Sequence, residues 1–294
     1  MQHVKPLPPV VAALRPAQWV KNLFVLAPVL FGKVADRGEL AGRTFAVAAA
    51  FCALASALYL LNDVRDAEAD RQHPVKKSRA VASGALRPGA ALLLAAVLGP
   101  AALLAVLLVA PAALPATLVY AGVTILYSLG LKKVALLDVF IVASGYVLRV
   151  LAGSAAAQVA PSHWLLLCTF FLALFHALSK RRSELAARGA ASRASLKEVP
   201  VGLLEAFENT ALGTTIVCYA LYTVAPETIA WFHTDRLLVT VPIVLFGLFR
   251  WRLIESRGGG EDATSDLFTD PGLLATVVTW ATVCAALIYG PGRS

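Results

Sequence analysis

AGRTFAVAAAFCALASALYLLNDVRDAEAD, residues 41–70, starts as a mostly apolar stretch from Ala41 to Leu61 and then turns acidic. About 20 such residues let an α-helix cross the hydrocarbon core of a bilayer. Asn62, Asp63, Asp66 and Asp70 form an N-D-x-x-D-x-x-x-D run at its exit, and Arg71, Lys76, Lys77, Arg79 and Arg87 follow. At about 100° per residue, positions 62, 66, 70 and 63 fall near 0°, 40°, 80° and 100°, so one helix arc presents three acids and an amide. Such an arc suits Mg²⁺, which takes oxygen ligands and is usually held by one or two carboxylates plus substrate phosphates. A solvated helix end is the ordinary fate of a charge run. Ionisable groups at a membrane boundary, however, are functional by default.

The rest of the chain has the same character. Of its 294 residues, 59% are hydrophobic and 15% charged, against about 25% charged in soluble domains, and the mean hydropathy is +0.72. Nine apolar stretches are expected to cross the membrane: 20–31, 41–61, 90–110, 112–129, 136–157, 161–178, 207–224, 237–249 and 273–289. The first and eighth are short and must recruit neighbours, tilt, or lean on other helices. The fold class expected is an all-α integral membrane bundle of nine helices, a single domain over 1–294.

Placing the basic residues on alternate sides of these spans puts 20 of the 26 Lys and Arg on one side. Lys33, Arg37, Arg43, Arg236 and Arg293 lie on the other, and Arg149 lies within the fifth span. This asymmetry predicts a cytoplasmic N-terminus and a cytoplasmic acid run. The N-terminal segment has no apolar h-region, so a cleaved signal peptide is not expected. The formal charge of +8 follows from the positive-inside loops and needs no nucleic-acid partner. Cys52, Cys168, Cys218 and Cys284 lie singly in apolar spans and read as small buried residues, not as metal ligands or disulfides. Residues 257–270, with three consecutive glycines and the acids Glu261, Asp262, Asp266 and Asp270, read as a cytoplasmic loop.

Other polar groups gather near the same face. Tyr127, Lys132 and Lys133 end the fourth span, where lysines either anchor the helix at lipid headgroups or bind phosphate. Arg149 is costly in lipid unless it faces the bundle interior and meets a carboxylate or a phosphate. Lys180, Arg181, Arg182 and Glu184 open the third cytoplasmic loop, and Lys180 and Glu184, four apart, share a helix face. Lys21 and Asn22 enter the first short span beside Trp19, a residue type that anchors at interfaces. His73 and His176 have no partners at metal-ligand spacing and take a structural reading.

These blocks resemble the UbiA superfamily of intramembrane transferases, and within it the decaprenyl-phosphate phosphoribosyltransferase branch. The residues that carry the likeness are Arg15-Pro16-x-Gln18-Trp19-Val20-Lys21-Asn22, Tyr59 through Pro74, Gly130-Leu131-Lys132, Leu148-Arg149 with Ala152-Gly153, and Lys180-Arg181-x-x-Glu184-Leu185. The resemblance implies nine helices and a Mg²⁺-diphosphate held by Asp-rich cytoplasmic motifs. Typical members carry a second acid motif after the sixth helix, where this chain reads Ser179-Lys180-Arg181-Arg182-Ser183-Glu184. Cations in place of acids suit direct contact with phosphate oxygens.

The implied enzyme is a Mg²⁺-dependent phosphoribosyltransferase of the bacterial plasma membrane. It moves 5-phosphoribose from phosphoribosyl diphosphate to a polyprenyl phosphate and releases pyrophosphate, making a precursor for activated pentose. Asp63, Asp66 and Asp70 are the expected catalytic residues and, with Asn62, the metal ligands. Lys21, Asn22, Asn62, Tyr127, Lys132, Arg149, Lys180, Arg181 and Glu184 are expected to bind substrate. The resemblance also permits a homo-oligomer. The alternatives are a UbiA-type prenyltransferase acting on a prenyl diphosphate and, less in keeping with charge at one face, a transporter.

Overall fold

The computed structural model describes residues 8–188, 199–257 and 263–290, so Arg193, Lys197, Glu261 and Asp262 of the expected loops lie outside the described residues. These residues form helices and turns, with no strand among them. The N-terminal stretch is not one straight span. Helix α1 (Pro9–Leu14) stops at Arg15, whose φ of 53° is left-handed. Right-handed helical geometry is disfavoured before a proline, and Pro16 follows. The chain continues as an 11-residue 3-10 segment, Pro16–Leu26, and then as α2 (Ala27–Phe31).

Long helices follow: α3 (Gly38–Arg65), the short α4 (Ala67–Arg71), α5 (Pro88–Val109), α6 (Leu114–Leu129), α7 (Leu137–Ala156) and α8 (His163–Arg188). After them come α9 (Val201–Val224), the short α10 (Pro226–Phe232), α11 (Val241–Ser256), the short α12 (Ala263–Thr269) and α13 (Pro271–Tyr289). Seven helical stretches among the described residues are long and apolar enough to cross a membrane: 38–65, 88–109, 111–129, 137–156, 163–186, 236–256 and 271–289. They match seven of the nine apolar stretches of the sequence. The short eighth recruits the 3-10 turn Arg236–Thr240 ahead of α11. The seventh is α9, 24 residues long but diluted by Glu205, Glu208, Asn209 and several threonines.

Leu93, Val97, Leu104 and Leu108 stand exposed along α5, as do Phe45, Val217 and Phe246 elsewhere. In a bundle this apolar, such a belt faces lipid. Inside, among the described residues, are four apolar clusters, of which the two largest are the main cores. One joins Val47, Phe51 and Leu54 of α3 to Val106 of α5, Tyr120 of α6 and Ala152 of α7. The other joins Phe175 and Leu178 of α8 to Leu204 and Leu212 of α9, Trp251 of α11 and Leu273 of α13, with Val139 and Ala143 of α7. Thus α7 belongs to both.

The N-terminal stretch closes the ring between these halves. Phe31 packs against Tyr222 and Trp280, Trp231 Nε1 donates to the Phe31 carbonyl, and the Tyr289 hydroxyl donates to the carbonyls of Val29 and Leu30. Its close approach needs Gly153, because a Cβ there would lie 1.9 Å from the Val25 carbonyl oxygen. That is the physical content of the Ala152-Gly153 pair singled out in the sequence.

Candidate active site

Antiparallel packing brings the C-terminal ends of α3, α6, α8 and α11 and the N-terminal ends of α7, α9 and α13 to one end of the bundle. Arg65 Nη2 ties the first two by donating to the Leu129 carbonyl at 2.7 Å. The acid run lies here. The α-helix ends at Arg65 and resumes at Ala67, so Asp66, at φ −90° and ψ 4°, divides the expected arc. Asp63, 3% exposed, pairs with Arg15 and accepts from Arg79 Nη1 at 3.2 Å. The same Arg79 Nη1 donates to Asp70 Oδ2 at 2.7 Å. Asp66 turns to Lys132, whose Nζ is 2.6 Å from its Oδ2. Asn62 lies one turn back, its backbone carbonyl accepting from the Asp66 N–H at 2.9 Å.

Among the described residues, no three or more His, Cys, Asp or Glu side chains are gathered as a metal site. Two carboxylates nevertheless converge on one positive point. Asp63 Oδ1 and Asp70 Oδ2 share a single guanidinium nitrogen, the arrangement hard anionic oxygens take around a common cation. These residues therefore fit Mg²⁺ in donor chemistry. Three acids meet three cations here, Arg15, Arg79 and Lys132, so the cluster is close to neutral.

Arg15 reaches Asp63 because its left-handed turn ends α1 over α3, and its guanidinium lies 4.8 Å from the Tyr59 ring centre. From there the 3-10 segment descends along α3. Trp19 Nε1 donates to Ser56 Oγ at 3.0 Å, and Asn22 Nδ2 donates to Cys52 Sγ at 3.2 Å. Lys21 is half-buried beside Asn22. Asn22, 2% exposed, accepts from Arg149 Nε at 2.8 Å. Arg149 also donates to the Gly145 carbonyl and to the Tyr120 hydroxyl, both at 2.9 Å, and its guanidinium faces the rings of Tyr120 and Tyr146. It faces the interior as expected, but it meets neutral groups rather than a carboxylate.

On the other side of α7, Arg181 is buried and donates to Asp138 Oδ2 at 2.6 Å and to Glu184 Oε2 at 2.9 Å. Its Nη2 lies 3.3 Å from the Tyr127 hydroxyl, which links it to the end of α6 that carries Lys132. Lys180 precedes it on α8, exposed. The Asp66–Lys132 pair and the Tyr127–Arg181 pair thus lie at the same end of α6.

Sequence reasoning missed a second buried charge cluster. Glu208 of α9 accepts from Arg182 of α8 and from Arg252 of α11, each at 2.6 Å. Glu255 of α11 accepts from Arg252 at 3.1 Å, from Trp251 Nε1 at 2.7 Å and from Ser179. The signal was present: Glu208 is a lone acid within an apolar stretch. Asp270 caps α13 by accepting from the Leu273 N–H at 2.7 Å, and it pairs with Arg250. Those hydrogen bonds, that of Arg250 first, hold its carboxyl below the usual aspartate range. His73 serves its own turn, its Nδ1 accepting from the N–H groups of Val75 and Lys76. His176 packs edge-on against Trp251.

The model of the UbiA prenyltransferase family matches residues 25–270. A decaprenyl-phosphate phosphoribosyltransferase of Mycolicibacterium smegmatis is 34% identical over 298 residues, covering 95% of this chain and 92% of that protein. One of the same name from Corynebacterium glutamicum is 32% identical over 291 residues, covering 95% and 86%. A solved UbiA homolog from Archaeoglobus fulgidus, bound to DMAPP and Mg²⁺, shares the fold with a TM-score of 0.68 at 20% identity, covering 95% of this chain and 98% of that one. By family model and near-full-length relatives alike, the chain belongs to the UbiA prenyltransferase family.

Proposed function

We propose that this chain transfers 5-phosphoribose from phosphoribosyl diphosphate to a polyprenyl phosphate, releasing pyrophosphate at the cytoplasmic face of a bacterial plasma membrane. The observation that carries this reading is the near-full-length likeness to proteins named decaprenyl-phosphate phosphoribosyltransferase. The cations at the end of α8 support it, because both reactants are rich in phosphate.

Asp63 and Asp70 would hold Mg²⁺, with Asp66 and Asn62 beside them. When bound, the metal would supply charge neutralisation on the departing diphosphate. Arg15, Arg79 and Lys132 are each paired to one or two of these acids, and they exchange those partners for diphosphate oxygens. The site then stays close to electroneutral throughout. Tyr127 orients the ribose, while Lys21 and Lys180 attract the phosphates of the two reactants. Asp138 and Glu184 fix Arg181 next to Tyr127. A bond forms between an acceptor phosphate oxygen and C1 of the ribose as the bond from C1 to the diphosphate breaks. A phosphate monoester, with a second pKa of about 6, is largely ionised at neutral pH, so no side chain need act as general base.

We read the chain as a single domain with nine crossings and the N-terminus in the cytoplasm, α9 and the 9–31 stretch completing the seven apolar helices. The polyprenyl tail stays in lipid, because moving it to water would cost about 0.8 kcal/mol per CH₂. The test is a donor comparison in lipid nanodiscs supplied with polyprenyl phosphate. Labelled phosphoribosyl diphosphate is expected to pass its label to the lipid and release pyrophosphate. Consumption of a labelled prenyl diphosphate instead would replace this reading with prenyl transfer.

A further inference from the structure

We infer that Arg149, Asn22 and Tyr120 form a subsite for a phosphate monoester, separate from the diphosphate end at the acids. The inference rests on the reaction proposed above, in which each reactant carries one such group: the 5-phosphate of the donor and the phosphate of the lipid.

Charge balance singles out Arg149. Arg181, the other arginine buried among the described residues, is matched by Asp138 and Glu184, and Arg15, Arg79 and Lys132 at the acid run are matched by Asp63, Asp66 and Asp70. Arg149 is 6% exposed, and among the described residues no carboxylate pairs with it. Its hydrogen-bond acceptors are an amide oxygen, a backbone carbonyl and a phenol. A cation held inside a bundle by neutral groups alone keeps its full charge for a ligand, and without a ligand it is expensive. The three bonds use three of the five guanidinium N–H groups, leaving one on each Nη for an incoming oxygen. The rings of Tyr120 and Tyr146 fix the plane of that fork.

Distance separates this place from the acids. Asn22 touches Cys52, 11 residues before Asp63 on the same helix. At 1.5 Å per residue that is about 16 Å along α3. Arg149 therefore lies deeper in the bundle than the acids, and of the anions in the proposed reaction the one left for it is a phosphate monoester, whether on C5 of the sugar or on the lipid.

A purely structural role, tying α6, α7 and the 3-10 segment together, makes a different prediction. Asn22→Asp gives Arg149 the carboxylate it lacks without removing any of the three elements from the tie. Wild type, Asn22→Asp, Arg149→Met and Arg149→Lys are compared in nanodiscs. The readouts are melting, KM for each reactant, and binding of ribose 5-phosphate and of polyprenyl phosphate with EDTA present. Asn22→Asp is expected to melt no lower than wild type yet bind one of the two monoesters about 10- to 100-fold more weakly, with Arg149→Met equally weak and Arg149→Lys between. Loss of ribose 5-phosphate assigns the subsite to the donor, and loss of the lipid phosphate assigns it to the acceptor; either supports the subsite. Binding of both monoesters and both KM values unchanged within about twofold in Asn22→Asp would overturn it, and Arg149→Lys decides in the same way if Asn22→Asp does not fold. Wild type that binds a monoester through Arg149 but transfers nothing would instead count against the proposed reaction.

Discussion

Among the described residues, two arginines are buried, Arg149 on α7 and Arg181 on α8, one beside the first core and one beside the second, in opposite company. Arg181 is enclosed by Asp138 and Glu184, and its neighbour Arg182 by Glu208 and Glu255. Among the described residues Arg149 hydrogen-bonds to Asn22, Gly145 and Tyr120 and faces the Tyr146 ring, all of them neutral. Where cations and acids cancel within the protein, the charges hold helices in place. Where a cation is left with neutral partners, or an acid with a cation that a ligand can replace, the charge remains available for chemistry. Arg182, Glu208 and Glu255 thus brace the second half of the bundle, while the acid run and Arg149 in the first half, with Lys180 at the rim, are the charges proposed to meet substrate.

The largest effect expected from this contrast is on stability in the braced half. Glu208→Ala leaves Arg182 and Arg252 sharing Glu255 alone, two buried cations on one acid, and should cost about 3–5 kcal/mol, read as a fall in Tm in detergent. The rate per folded molecule should change little. A large loss of rate at unchanged Tm would move this cluster into the site.

Next comes the reverse case. Asp66→Asn, at a half-buried acid, should leave Tm nearly unchanged and lower kcat by about 10²–10³-fold, the range seen when one preorganised electrostatic contact is removed. A wild-type rate would break the comparison on its other side. Gly153→Ala should fall between the two kinds of result. The added methyl meets the Val25 carbonyl and pushes the 3-10 segment outward, costing about 1–3 kcal/mol as in other overpacked sites. It should also slow turnover, because Asn22 and Lys21 ride on that segment.

The smallest effect is at the rim, where Asp270 caps α13 and pairs with Arg250. Its carboxyl is held low, so the stabilisation is present above the ordinary aspartate pKa of about 4 and is lost as pH falls through the lowered value. The Tm difference between wild type and Asp270→Asn should therefore be small at neutral pH and vanish in acid.

Much of this was legible in sequence because membrane spans are long and local. Ala41–Leu61 reads as a span from composition alone, and the acids that follow it are held at the bundle end with Lys132 and Arg79. What escaped was non-local or backbone-dependent. Pro16 and the left-handed Arg15 turn the first stretch into a 3-10 segment that a hydropathy count treats as a short helix. The break at Asp66 divides an arc drawn on one continuous helix. Arg182 looked like a loop cation because its partners lie 26 and 73 residues away, on α9 and α11. Arg149 was expected to meet an acid or a phosphate, and only folding reveals that its protein partners are neutral.

The central claim is that the acid run and its three cations at one end of the bundle exchange their mutual pairing for a metal-bound diphosphate. The most direct measurement is pyrophosphate release from phosphoribosyl diphosphate by the purified protein in nanodiscs, with and without polyprenyl phosphate, before and after chelation. The account predicts release that requires both the lipid and a divalent cation, and that is lost in Asp66→Asn. Equal release after complete chelation, or none from wild type with both reactants present, would contradict it.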